Sequence, residues 1–219
     1  MIRYGARAKW LAAGLSALAG FVDATGFLKL GGFFVSFMSG NTTRFAVGLA
    51  EGRSAAALAA ALIAGFVLGV MIGTLAAHAA GTRRAPIVLG LVAALLALAA
   101  GLAGAGLTFG AVAAMTLAMG AENAVFAREG EVAIGLTYMT GTLVKFGQRL
   151  TGALLGGPRW AWRPYLLLWL GLAGGAVAGA LSYAHIGLND LWFAAAAAAL
   201  FSVATARMGP LERQAAALE

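Results

Sequence analysis

The sequence predicts an all-α integral membrane protein with six transmembrane helices in two inverted three-span repeats. Each repeat carries a broken, re-entrant segment made of an extended stretch followed by a half-helix. Three observations predict this fold. The composition lacks a charged coat, the chain repeats itself after about 100 residues, and its bases sort to one side only if the second element of each repeat turns back.

Of the 219 residues, 62% are hydrophobic and 11% charged. A water-soluble domain carries roughly 25% Asp, Glu, Lys and Arg, so eight acids and fifteen bases are too few to coat one. Apolar runs of about 20 residues are the length that crosses the hydrocarbon layer of a bilayer. The net charge of +7 does not indicate a nucleic-acid partner, because the bases sit in pairs at the ends of apolar segments and form no stripe. With no cysteine there is no disulfide framework, thiolate metal site or thiol chemistry. The first apolar run imitates a signal peptide after Arg3, Arg7 and Lys9, but it continues past Gly20 and its far end recurs later, so it reads as the first span.

The repeat is visible when residues 37–50, FMSGNTTRFAVGLA, are written over residues 138–151, YMTGTLVKFGQRLT. Upstream, Gly20 to Ala24 lies over Gly120 to Ala124. Downstream, the ridge Gly65, Gly69 and Gly73 is matched by Gly171, Gly175 and Gly179. Three matches in one order predict a tandem duplication within a single membrane domain covering 1–219, with repeats at 10–105 and 107–208. The elements expected are 10–29, 33–51, 54–79 and 85–105, then 107–127, 132–151, 161–184 and 189–208.

Charge chooses between a spanning and a returning second element. If 33–51 and 132–151 return to the side they entered, the N-terminal bases, Arg83, Arg84, Arg128, Arg159, Arg163, Arg207 and Arg213 all face the cytoplasm. Only Lys29 and Arg53 then face outward, as the positive-inside rule requires. Both termini are cytoplasmic, and three spans per half make the halves point in opposite directions, the inverted repeat of many transporters. Residues 31–38, GGFFVSFM, are aromatic and β-branched and read as extended, whereas Ser39-Gly40-Asn41-Thr42 is turn and N-cap chemistry leading into a half-helix.

Broken backbone at membrane depth survives where it is buried in protein or lines a wet cavity. The half-helix N-termini therefore make the candidate substrate site: Ser39, Gly40, Asn41, Thr42 and Thr43 on one side, Thr140, Gly141 and Thr142 on the other. Each offers free N–H groups to an anion or dipole. Alternatively, the hydroxyls only cap their own helices. Arg44 and Lys145 lie one turn into each half-helix, with Asp23 and Glu122 as their natural partners inside neighbouring spans. They could instead snorkel to the interface. Asn123, over Asp23, keeps one half uncharged. The glycine ridges predict close helix packing. Trp10, Trp160, Trp162 and Trp192 read as interface anchors. His78 and His185 have no partner at metal spacing, so no metal, cofactor or catalytic group is expected.

The stretch GFVDATGFLKLGGFFVSFMSGNTTRFAVGLAEG, residues 20–52, resembles the hallmark region of the bacterial YoaK-type family, six-span membrane proteins carrying a domain of unknown function. The resemblance implies a bacterial inner-membrane protein of this length and names no substrate. Paired broken segments also resemble aquaporin-like and formate-channel-like architectures, without the Asn-Pro-Ala turns of the former.

The function expected is a small-solute transporter or channel with its pathway between the repeats, favouring an anionic or strongly polar solute. The alternative is a non-transporting membrane sensor or assembly subunit, and an intramembrane enzyme stands third, because Ser39 lacks the surroundings of a nucleophile. The partners expected are the bilayer, the solute and possible further copies of the chain.

Overall fold

With no solvent to compete for backbone groups, an apolar run in lipid satisfies its N–H and C=O groups internally, as helix. The structure, a computed structural model, describes residues 5–128, 131–132 and 135–208. Arg3 and Arg213, both used in the charge argument, lie outside the described residues. The helices are α1 (Ala6–Lys29), α2 (Met38–Ala50), α3 (Ala55–Ala80), α4 (Arg84–Gly104), α5 (Thr108–Glu122), α6 (Met139–Leu154), α7 (Arg163–Ile186) and α8 (Leu191–Met208). A two-residue antiparallel pair, β1 (Ala127–Arg128) with β2 (Glu131–Val132), lies between α5 and α6.

Four stretches are long and apolar enough to cross a membrane: Ala6–Lys29, Ala55–Gly104, Thr108–Phe126 and Arg163–Met208. The second and fourth, 50 and 46 residues long, each hold two helices. Gly81 (φ 54) ends α3 and Gly187 (φ 58) ends α7, a left-handed conformation that stops a helix and that glycine adopts without a Cβ penalty. Large apolar side chains such as Leu75, Phe109 and Leu200 face outward, as lipid permits and water disfavours.

Twelve of the 24 residues of α1 and ten of the 15 of α5 are buried, more than in any other helix, so these two form the inner pair. The packing partners are exchanged between the halves: α1 lies on α7 and α5 on α3, while α4 meets α8. A Cβ on Gly20 would collide with the Leu172 carbonyl, and one on Gly120 with the Phe66 carbonyl. Gly69 and Gly175 sit against the carbonyls of Leu117 and Ala17, and Gly73 and Gly179 against Ala121 and Phe21. Gly65 meets Thr116, and Gly171 meets the Ala13 carbonyl. Backbone approaches backbone at both crossings, the contact that small residues allow.

Between α1 and α2 the chain turns back on itself. Gly31 and Gly32 both have positive φ (63 and 106), and the extended residues after them run alongside the last turns of α1. Phe34 stacks on Phe27 at 4.9 Å, and a Cβ on Gly26 would meet Val35. The helix then starts at Met38 with Phe37 as N-cap and no side-chain cap bond. This corrects the expectation that Ser39-Gly40-Asn41-Thr42 makes the turn and cap. The reversal is completed earlier, at the glycine pair, and those four residues lie in the first turn of α2. Between α5 and α6, the β1–β2 pair makes the corresponding reversal, and α6 starts at Met139 with Tyr138 as an uncapped N-cap.

Candidate functional site

Each broken segment is held at its bend by polar groups from the inner helices. Asp23, six residues before the end of α1, accepts the backbone N–H groups of Val35 and Ser36 through one oxygen, both at 2.8 Å. In the second half, Asn123 accepts the Thr137 hydroxyl at 3.3 Å, and its amide donates to Met119 O at 3.0 Å. Ser16, in the middle of α1, donates to the carbonyl of Leu136 at 3.1 Å. One helix therefore grips both bends at points seven residues, or about 10 Å, apart, which brings the two segments together beside α1.

Asn41 fixes the first bend from the other side. Fully buried, it accepts the Phe34 N–H at 3.0 Å and donates to the Phe34 carbonyl at 2.6 Å. Buried backbone groups without a sheet partner need such a substitute. Thr42 and Thr43 donate back to the carbonyls of Met38 and Ser39 within α2. Their hydroxyls are occupied by their own helix.

Two adjacent cavities open between the segments. The smaller, about 280 Å³, is lined by residues 36–39 of the first segment and residues 137–141 of the second, with Phe66 of α3. Ser36, Ser39, Thr137 and Thr140 are its hydroxyl-bearing residues, although Thr137 donates its hydroxyl to Asn123 and most of the wall is apolar. The larger, about 530 Å³, shares Ser36, Phe37, Thr137, Met139 and Thr140 with it and extends along α1 and α7 past Asp23, Phe27, Phe34 and Leu172. Both half-helices begin at the smaller cavity. Among the described residues no protein acceptor takes the first-turn N–H groups of Ser39, Gly40, Thr140 or Gly141, so each helix presents the positive end of its dipole there. Gly141 borders open space, whereas a Cβ on Gly40 would run into the rings of Phe37 and Phe34.

The charged residues of the sequence analysis do not all join this site. Arg44 turns away, its guanidinium 5.0 Å from the Phe33 ring and beside Gly32, and Asp23 is engaged by backbone. Lys145 is exposed, and neither base lines either of these two cavities. Glu122 is fully buried, and neither of its oxygens has a hydrogen-bond partner among the described residues. Of the two alternatives for these bases, the pairing with Asp23 and Glu122 is not formed among the described residues: Arg44 lies against Phe33, Lys145 is exposed, Asp23 is taken by backbone and Glu122 has no partner. Thr142, the counterpart of Asn41, is buried.

A profile of the DUF1275 family, described as a protein of unknown function, matches residues 11–204. The chain belongs to this family. A UPF0700 transmembrane protein of Rhizobium meliloti (strain 1021) is 41% identical over 200 residues, covering 89% of this chain and 84% of the relative. The comparison with solved structures returns no match. The family expectation raised by residues 20–52 holds: this DUF1275 chain is a helical membrane protein with several long apolar helices. The DUF1275 match includes both broken segments and every residue lining the two cavities.

Four polar residues of this DUF1275 chain were missed by sequence reasoning. Ser16 and Thr137 work at the bends, and Thr25 donates its hydroxyl to Asp190 at 2.7 Å, both fully buried. Asp190 sits in the short 3-10 turn between α7 and α8, at the start of the stretch expected as the last span, 189–208. A lone serine or threonine in a long apolar helix was the available signal, because lipid-exposed helix gains nothing from it.

Proposed function

We propose that the chain is a small-solute transporter or channel of the bacterial inner membrane, with its pathway between two inverted three-span repeats. The single observation that carries this reading is the cavity of about 280 Å³, mainly apolar in its walls, that is lined jointly by the starts of both half-helices. Uncapped N–H groups and the exposed Ser39 and Thr140 adjoin one space, which suits an anionic or strongly polar solute. The attraction comes from helix ends and hydroxyls, with Arg44 and Lys145 outside the lining of either cavity.

Lengths support the re-entrant part. The 13 residues of α2 rise about 20 Å, short of the roughly 30 Å hydrocarbon layer. The extended residues ahead of it run back along α1, so segment and half-helix together enter and leave on one side. Non-helical backbone at that depth is tolerable because it is buried in protein and lines a cavity.

A non-transporting sensor or assembly subunit is the second reading. It is favoured by one observation: Asp23, Asn41, Asn123, Ser16 and Thr137 all spend hydrogen bonds on holding the bends. An enzyme stands third, since no histidine lines either cavity beside Ser39.

The natural absence of cysteine makes the decisive experiment clean. Thr140→Cys and Gly141→Cys, made singly in membrane vesicles, are expected to react with a small water-soluble thiol reagent, and Ala19→Cys, fully buried, is expected not to. Failure of both cavity positions to react from either side of the membrane would favour the sensor reading over transport.

A further inference from the structure

We propose that the connection between α6 and α7 is a binding site for the headgroup of an anionic phospholipid, held by Arg159 and Arg163 across Trp160. The two guanidiniums share one indole: Arg163 lies 3.3 Å and Arg159 4.9 Å from the centroid of the Trp160 ring. Cation–π attraction explains why each would approach the ring. It does not explain why two like charges are gathered there with no acid.

An ion pair joins Arg53 to Glu51 at 3.1 Å, in the connection between α2 and α3. That is the equivalent connection of the first half, and it carries neither tryptophan nor an unbalanced base. The α6–α7 connection carries both. Its charge is raised further by its position, because Arg163 is the first residue of α7 and no acid stands in the first turn. A base at a helix N-terminus opposes the helix dipole. Two guanidiniums and a helix end therefore point to an anion.

The platform is held in place before any ligand arrives. The Trp162 indole N–H donates to the Arg159 carbonyl at 3.0 Å, and its ring meets Phe146 of α6 edge-on at 6.0 Å. Backbone bonds from Ala161 N to Pro158 O and from Arg163 N to Trp160 O close the turns. Lipid, as opposed to a free anion, is indicated by the neighbours: Leu154 and Leu155, at the end of α6, are 80% and 82% exposed. Apolar side chains left bare beside paired bases fit acyl chains beside phosphate. Tryptophan and arginine together mark the depth where headgroups lie.

The test uses the full chain in nanodiscs of phosphatidylcholine with increasing phosphatidylglycerol, with retained lipid counted by native mass spectrometry. The wild type is expected to keep phosphatidylglycerol saturably and in preference to phosphatidylcholine. Arg159→Gln with Arg163→Gln is expected to weaken that preference roughly 30-fold, from two bases at an anionic surface. Arg207→Gln, a base outside the platform, is expected to leave it unchanged. Unchanged thermal unfolding in pure phosphatidylcholine shows that the double variant is folded. Should the double variant fail to fold, Arg163→Gln alone carries the test, with an expected loss of roughly fivefold. Equal retention by wild type and variant, or an equal loss with Arg207→Gln, would overturn the proposal. So would saturation of the site by glycerol phosphate in detergent, which would make the ligand a free phosphate ester.

Discussion

Asn41 shows how single polar side chains carry this fold at the residue scale. The bend at Phe34 leaves a buried N–H and C=O with no helix to pair in, and the Asn41 amide supplies the matching acceptor and donor. Asn41→Ala strands both groups, so it is expected to lower stability by about 2–6 kcal/mol, toward the lower end because both bonds are only part-buried, since each unsatisfied buried group costs roughly 1–3 kcal/mol. Unfolding of the purified protein in detergent, followed by denaturant titration, reads this directly. A change under about 0.5 kcal/mol would mean that water or lipid headgroups replace the amide. Asp23 plays the same part for Val35 and Ser36, and Thr25 with Asp190 ties α1 to the α7–α8 turn. These residues attract attention in the sequence as possible chemistry, and their hydrogen bonds show them holding backbone.

At the scale of elements, the glycines decide how closely helices cross. Gly20 and Gly120 stand at equivalent positions, each with a carbonyl of the partner helix where a Cβ would be. Gly20→Ala and Gly120→Ala are each expected to destabilise the protein by about 1–3 kcal/mol, the usual penalty of forcing extra volume into a packed contact. Gly101→Ala, which meets open space, is the matched control in the same thermal unfolding measurement. If the two crossings are equivalent, the first two variants lose similar amounts. A loss confined to one would show that the α1–α7 and α3–α5 contacts carry unequal shares of the stability.

For the whole molecule, the proposal that α2 returns to the side it entered has a direct topological consequence. Lys29→Cys and Glu51→Cys flank the first broken segment and are expected to react with a membrane-impermeant maleimide from the same, outer face. Leu155→Cys is expected to react from the cytoplasmic face, and Ala105→Cys from outside. Opposite sidedness for Lys29 and Glu51 would make α2 a span and remove the inverted arrangement. Both outcomes can be read in right-side-out and inside-out vesicles, because the chain has no cysteine of its own.

The membrane class, the helix positions and the family could be read from residues alone. Apolar length and glycine spacing are local properties, and lipid leaves an apolar run little choice besides helix. The expected ranges 54–79 and 85–105 accordingly fall within a residue or so of Ala55–Ala80 and Arg84–Gly104. The broken segment was also legible, because GGFFVSFM has no helical pattern. What the sequence could not assign was the work of its polar residues. Whether Asp23 meets Arg44 or the N–H of Val35 depends on where the chain turns back, and that turn sits at Gly31–Gly32, eight residues before the Ser39-Gly40 pair that looked like it. Tertiary structure alone brought the two half-helix starts onto one cavity and turned Arg44 and Lys145 away from it. The physical reason is that a side chain's direction at membrane depth is set by the backbone groups left unpaired around it, and those exist only once the chain has folded.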